Sequence, residues 1–265
     1  MIIACSTMPF EGLPLSQALS EIARYGFGWT DIVICHAKDW GHLKPSQVRD
    51  EPLECLEMMA RATQESGVRY VAINLVTEYF SPSERGQFEA VIILAERIGI
   101  PVVTIQAFRK DTDAEYRRMA DFLAIAADHG VTIAAETLYP LLTDPRRAVK
   151  LVGERPGLKL TVDPGHLFGA GISPEKFAPL YPLAGHVHLW DTGGTLERPQ
   201  VPFGEGLLEP ALGGLVRGLA STGYAGALTI EYMGLRSGSD ARPFDPGTTI
   251  VPLKKALEGY LTNPV

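Results

Sequence analysis

Eight short, apolar, largely β-branched runs recur about every 30 residues along this chain: Ile2–Cys5, Asp31–Cys35, Tyr70–Leu75, Val102–Gln106, Thr132–Ala135, Lys159–Val162, His186–Trp190 and Ala227–Ile230. Most are bounded by Gly or Pro, as short buried strands are. Helical patterns fill the intervals. Leu15, Leu19 and Ile22 share a face behind Pro14, and Leu53, Leu56, Met59 and Ala60 share another, with Gly67 as its stop. Ser81-Pro-Ser-Glu84 has the form of a capping box with Pro at the first helical position, leading an apolar run to Leu94. Asp113 to Gly130 carries Tyr116, Phe122, Leu123 and Ala126, and its His129 is placed to meet the helix dipole. Asp144-Pro145, Ser173-Pro174 and Glu209-Pro210 each open a further helix, and Gly223 and Gly226 separate the last from the eighth strand.

Strand and helix in alternation require a mostly parallel sheet, either doubly wound and open or closed as a (β/α)8 barrel. Eight evenly spaced units in 265 residues match the barrel's usual size. The loop after the first strand, Ser6-Thr-Met-Pro-Phe-Glu-Gly12, holds neither G-x-G-x-x-G nor a P-loop, which weakens a dinucleotide or nucleoside-triphosphate reading. No linker or compositional break divides the chain, so the expectation is one α/β domain over residues 1–265.

Charge and cysteine usage narrow the function classes. With 24 Lys+Arg against 31 Asp+Glu the formal charge is −7, and the pI is near 5.4. A nucleic-acid binder usually carries a basic stripe instead. Cys5, Cys35 and Cys55 lie scattered in apolar segments without zinc-finger spacing, as buried thiols in a reducing compartment do. No apolar run is long enough to span a bilayer, and the N-terminus reads as a first strand rather than a signal peptide. The expectation is a soluble, cytoplasmic protein with a small-molecule partner and neither a membrane nor a nucleic acid.

In a (β/α)8 barrel the chemistry sits at the C-terminal ends of the strands. The first four strands end in Ser6, His36, Asn74 and Gln106, the last four in Glu136, Asp163, His188 and Glu231. Three carboxylates converging with an imidazole repel one another unless some are protonated or a cation lies among them. An oxygen-rich set with one nitrogen and no thiolate suits Mn²⁺, Mg²⁺, Co²⁺ or a catalytic Zn²⁺. Strand alternation puts His186 and His188 on one face, with His188 nearer the mouth and His186 a satisfied core residue. Asp191 can fix the following loop or orient His188. His166 stands just past strand six behind Pro164 and Gly165, and Arg198 lies in the long loop after strand seven, where a cation can hold a substrate oxygen. His36, His42 and Trp40 are candidates for the opposite rim.

Val162-Asp-Pro-Gly-His166, His186-Val-His-Leu-Trp-Asp191, Pro202-Phe-Gly-Glu-Gly206 and Ile230-Glu-Tyr232 together resemble the xylose isomerase-like TIM barrels. This is the sugar isomerase/epimerase superfamily, which also includes inosose and dehydroshikimate dehydratases and endonuclease IV. The likeness runs over nearly the whole chain and is sharp from Glu136 onward. It implies ligation of one divalent metal ion, manganese first, by Glu136, Asp163, His188 and Glu231, and substrate contacts from His166 and Arg198. Two positions depart from the pattern. Trp190 stands where many members carry Lys, which suggests stacking on a sugar ring, and strand two lacks the Glu often found at its end.

The resemblance implies a metal-dependent isomerase or epimerase of a small ketose-type carbohydrate, acting through a metal-stabilised enediolate with Glu136 and Glu231 as acid and base. Barrels of this kind commonly pair, so a homo-oligomer is compatible with it. A dehydratase on a cyclitol or keto-acid uses the same first step and is the nearest alternative. An abasic-site endonuclease needs extra histidines where Asn74 and Gln106 stand, and the net charge of −7 opposes a phosphate backbone. A metal-binding subunit active only beside a partner stays open. So does a phosphorylated substrate held near Gly234–Asp240 with Arg236 and Arg242, against the reading of that segment as a surface loop.

Overall fold

The computed structural model describes residues 1–36, 41–76, 84–195, 200–233 and 245–262. Eight parallel strands close into a barrel in chain order: β1 (Ile2–Ser6), β2 (Trp29–Cys35), β3 (Arg69–Val76), β4 (Val102–Ile105), β5 (Thr132–Glu136), β6 (Leu158–Val162), β7 (Ala184–Leu189) and β8 (Ala227–Ile230). The ring closes where Ile2 to Cys5 pair in register with Ala227 to Ile230. Of the two architectures that alternation allowed, the chain adopts the closed one.

The helices around the barrel are α1 (Leu15–Arg24), α2 (Pro45–Asp50), α3 (Pro52–Ser66), α4 (Arg85–Ile98), α5 (Asp113–Asp128), α6 (Pro140–Thr143), α7 (Pro145–Gly153), α8 (Pro164–Gly169), α9 (Leu208–Ser221) and α10 (Ile250–Thr262). Several depart from the sequence reading. In α3 the buried face is Cys55, Met59 and Ala62, while Leu53 is 65% exposed. The small apolar Cys55 leads the i, i+4, i+7 series, so the leucines do not define that face. Ser173-Pro174 opens no long helix. Two 3-10 segments, Pro174–Lys176 and Ala178–Leu183, follow it, with Pro182 inside the second, where a regular α-helix is disfavoured. Helix α9 begins at Leu208, ahead of Glu209-Pro210. His129 caps α5 as expected, but its Nδ1 also lies 2.8 Å from Glu96 of α4. Asp144 caps α7 by accepting from the amides of Arg146 and Arg147. Ser81 to Ser83, the start of the expected capping box, lies outside the described residues.

Strand alternation divides the side chains between two environments. Ile32 and Ile34, Ile73 and Leu75, Ile133 and Ala135, Leu160 and Val162, Val187 and Leu189, and Leu228 and Ile230 point outward into the apolar layer under the helices. Burying each of the larger ones contributes about 1.5–3 kcal/mol. The opposite set lines the barrel. Ala4, Val71, Ala72 and Ala227, with Ile2, Trp29 and Val102, close its N-terminal end. Higher up, Asp31, Asn74, Thr104, Glu136, Thr161, Asp163, His186, His188, Thr229 and Glu231 are all buried. A barrel interior filled by polar groups instead of branched apolar ones marks this end of the molecule as the place to look for chemistry.

Candidate metal centre and active site

Glu136 ends β5, and Asp163, His188 and Glu231 lie at the ends of β6, β7 and β8. The structure brings these four together: one ligand atom from each falls within 4.8 Å of the others, and all four residues are buried. His188 is the hub. Its Nδ1 lies 2.9 Å from Glu136 Oε1 and 2.8 Å from Glu231 Oε2, and its Nε2 lies 3.0 Å from Asp31 Oδ2. The Asn74 amide donates to Glu231 Oε1, and Thr104 Oγ1 donates to Asn74 Oδ1 at 3.3 Å. Asp163 caps the short helix α8 by accepting from the His166 amide at 3.2 Å, and its own amide donates to Thr137 Oγ1 at 2.9 Å. His166 Nε2 stands 3.5 Å from Asp163 Oδ2 and 3.9 Å from Glu136 Oε1.

This donor set has the chemistry of a divalent-cation site. Three carboxylates and one imidazole nitrogen bring their ligand atoms within 4.8 Å of one another, an oxygen-rich set with one nitrogen and no thiolate. With Nε2–H directed at Asp31, the Nδ1 lone pair would face two carboxylate oxygens. Acceptors meet acceptors there unless a proton or a metal cation lies between. The electrostatics of the metal-free chain say the same. Burial disfavours an imidazolium, yet Glu231, Asp31 and Glu136 outweigh it and hold His188 well above the ordinary histidine range. Burial, with Glu136 and Asp31 adding their repulsion, pushes Glu231 up to about 7 against the pull of His188. Burial, aided by Glu136 and opposed by His166, raises Asp163. Glu136 stays low because the hydrogen bond and charge of His188 overcome its burial.

Asp31 is the residue the sequence reading left unassigned. It sits inside β2, completely buried, and accepts from His186 Nε2 and His188 Nε2, each at 3.0 Å. Those two bonds overcome its burial and hold its carboxyl down to about 2. The usable signal was a lone acid among Trp29, Thr30, Ile32, Val33 and Ile34, since a carboxylate inside a buried strand needs a partner. His186 also lies 3.0 Å from Thr229 Oγ1, deep in the barrel. Of the two roles open to Asp191, it takes the first: it accepts the amides of Thr192, Gly204, Gly206 and Leu208 and so folds the loop before α9.

Above the cluster opens a cavity of about 530 Å³. Glu136, Glu231 and His166 line it, with Asn74, Gln106, Thr192 and Gln200 as neutral polar groups and Met8, Val76, Leu138 and Met233 among the apolar ones. Trp190 also lines it but is only 8% exposed. Its indole Nε1 donates to Asp163 Oδ2 at 2.9 Å and its ring lies against Gly165, which leaves little face for stacking on a sugar. His42 does not line this cavity: its ring nitrogens meet the carbonyls of Leu13 and Thr7 at 3.1 and 3.2 Å. Arg198, Trp40, Arg236 and Arg242 lie outside the described residues.

Solved structures share this fold. The probable 3-DHS dehydratase AsbF from Bacillus anthracis, involved in petrobactin synthesis, aligns with a TM-score of 0.72 and 16% identity over 99% of both chains. A D-tagatose 3-epimerase-like protein aligns with a TM-score of 0.71 and 21% identity over 99% of this chain and 97% of its own. The IolI protein with a bound zinc atom aligns with a TM-score of 0.63 and 20% identity over 87% and 88%. At such identities the likeness is one of fold. Comparison with curated protein sequences gives no match. A family profile described as xylose isomerase-like TIM barrel matches residues 19–248.

Proposed function

This chain belongs to the xylose isomerase-like TIM barrels, and from that premise we propose that it is a divalent-metal-dependent isomerase or epimerase of a small, ketose-type carbohydrate. The observation that carries this reading is the meeting of Glu136, Asp163, His188 and Glu231 at the floor of a cavity lined by both glutamates. These four residues would hold the ion, manganese first, with magnesium, cobalt or zinc as alternatives. A bound dication supplies Lewis acidity that polarises a carbonyl and acidifies the neighbouring C–H.

The remaining work falls to the chain's own side chains. Glu136 and Glu231 reach the cavity from β5 and β8, three strands apart around the barrel, so they address a substrate carbon from different sides. One removes the proton beside the carbonyl and the other returns it. Asn74 fixes the Glu231 carboxylate through Oε1, so that Oε2 stays turned toward the cluster. His166 and Arg198 hold substrate oxygens, while Gln106, Thr192 and Gln200 offer hydrogen bonds to hydroxyls. No helix among the described residues is long and apolar enough to cross a membrane.

The test is hydrogen exchange. The metal-loaded protein, incubated with candidate ketoses in deuterated water, incorporates deuterium at the carbon beside the carbonyl, and Glu231→Gln abolishes it. Undiminished exchange in that variant removes the acid/base assignment. His166 supports a second reading. It is partly exposed and stands 3.9 Å from Glu136, where an imidazole can protonate a departing hydroxyl, as dehydration of a cyclitol or keto-acid requires. A conjugated, ultraviolet-absorbing product identifies that reaction, and a change of stereochemistry alone identifies the first.

A further inference from the structure

We infer that Asp31 is the positioning residue that holds His188 in its Nε2–H tautomer, so that Nδ1 is the nitrogen offered to the metal. The inference rests on the metal-site reading above and deepens it, because it assigns a role to a buried carboxylate that the site's own four residues do not explain.

The geometry is one-sided. A carboxylate accepts and cannot donate, so the His188 nitrogen 3.0 Å from Asp31 Oδ2 must carry hydrogen. His186 Nε2 approaches the same oxygen at 3.0 Å, so Oδ2 gathers two N–H donors from one strand. Asp31 Oδ1 is buried and makes no hydrogen bond among the described residues, so within the barrel the two imidazoles supply the carboxylate's hydrogen bonds. With Nε2 committed to Asp31, only Nδ1 is left to face Glu136 and Glu231, and it does so at 2.9 and 2.8 Å.

The backbone is built around this arrangement. Against β6, the register of β7 slips between Ala184 and His186: Leu160 pairs with Ala184 and Thr161 with His186, leaving Gly185 as the extra residue. A bulge of this kind re-aims the side chains that follow it. Gly185 permits it because an added Cβ would stand 2.7 Å from Lys159 Cβ. The slip sets His186 and His188 facing the lumen, where β2 presents Asp31. A buried acid placed only to satisfy a core histidine would need His186 alone; here it spans both.

The experiment uses the full chain labelled with ¹⁵N at histidine and loaded with Zn²⁺. Long-range ¹H–¹⁵N spectra, assigned with single His→Asn variants, read which His188 nitrogen bears hydrogen, and calorimetry reads Mn²⁺ affinity. The expected result is a protonated Nε2 and a ligating Nδ1 in the unaltered protein. Asp31→Asn then lowers Mn²⁺ affinity about 10- to 100-fold, the usual cost of losing a carboxylate behind a ligand histidine. Thr229→Val, which removes a hydroxyl that meets His186 Nε2 and leaves the Asp31–His188 hydrogen bond in place, leaves affinity unchanged. A protonated Nδ1 with Nε2 on the metal overturns the inference, as does a folded Asp31→Asn protein that binds Mn²⁺ as tightly as the unaltered one. If Asp31→Asn does not fold, the tautomer of the unaltered protein decides alone. A flat titration of the unaltered chain with both metals refutes the metal-site reading itself and this inference with it, an outcome distinct from tight binding that ignores Asp31.

Discussion

Replacing Gly165 with Ala sets two physical effects against each other, and the structure says which wins. Gly165 lies in the first turn of α8 with a negative φ, so by helix propensity alone Ala should stabilise by about 0.5–1 kcal/mol. The indole of Trp190, however, covers that position: an added Cβ would stand 2.3 Å from Cε2, 2.4 Å from Cζ2 and 2.8 Å from Cδ2. These are fused-ring atoms of a side chain packed edge-on to His166 and bonded to Asp163, so the ring as a whole must move. Overpacking of this kind costs about 1–3 kcal/mol. Moving the ring also removes a charge-assisted hydrogen bond from a fully buried carboxylate, worth about 1.5–3 kcal/mol. The expected net effect is a loss of about 2–5 kcal/mol, or roughly 5–15 °C in melting temperature for a chain of this size. Differential scanning calorimetry of the metal-free proteins measures it, and Trp190→Phe provides a double-mutant cycle. Phe, a single ring, has no fused second ring to crowd the added methyl, so Gly165→Ala should cost less when combined with Trp190→Phe. A Gly165→Ala protein that melts at or above the parent temperature, or costs that simply add in the cycle, would refute this account of why the Asp-Pro-Gly-His turn needs its glycine.

Metal loading should depend on pH in a definite direction. His188 and Glu231 both have folded-state values raised above their ordinary ones, Glu231 to about 7, so the metal-free protein is favoured below those ordinary values and loses that advantage as pH rises through the raised ones. Both protons must leave before a cation is ligated, so Mn²⁺ affinity climbs as pH rises through about 7, where Glu231 ionises. It goes on climbing above that as His188 gives up its proton, and the melting-temperature gap between loaded and metal-free protein widens in the same direction. Asp191→Ala orphans four amide donors of the loop before α9 and should destabilise by roughly 2–4 kcal/mol, with protease cleavage in that loop as a direct readout. Cys5 is fully buried beside Asp31, and burial first, then that charge, raise its thiol, so it should stay unmodified by iodoacetamide until the chain unfolds. Cys55, pushed up to about 11 by burial and by Glu51 and Glu54, should react slowly as well.

The strands were legible because their cause is local. A buried parallel strand needs a short apolar run and a chain reversal at each end, and both are written in neighbouring residues such as Val131 to Glu136. The candidate ligands were legible for a related reason: Glu136 and Glu231 each close such a run, where a buried carboxylate needs a partner. Where local logic failed, distant contacts were responsible. Leu53 has the right residue type for a buried face, but α3 turns Cys55, Met59 and Ala62 inward. For Asp191 the sequence left loop fixing and a partnership with His188 both open, and the four amides of the returning loop decide for the first. Trp190 reads as a stacking platform until the turn at Gly165 draws its indole down onto Asp163.

Sequence by itself determined the eightfold alternation, the parallel sheet it requires and the acidic character of the last four strand ends, since periodicity and residue type act over a few positions. Only the tertiary structure decided which groups share a hydrogen bond. Asp31 and His188 are separated by 157 positions, and closing the barrel with a one-residue slip at Gly185 sets them 3.0 Å apart. The choice of ligand nitrogen on His188 follows from that contact, because a proton can occupy a buried imidazole only where an acceptor waits for it.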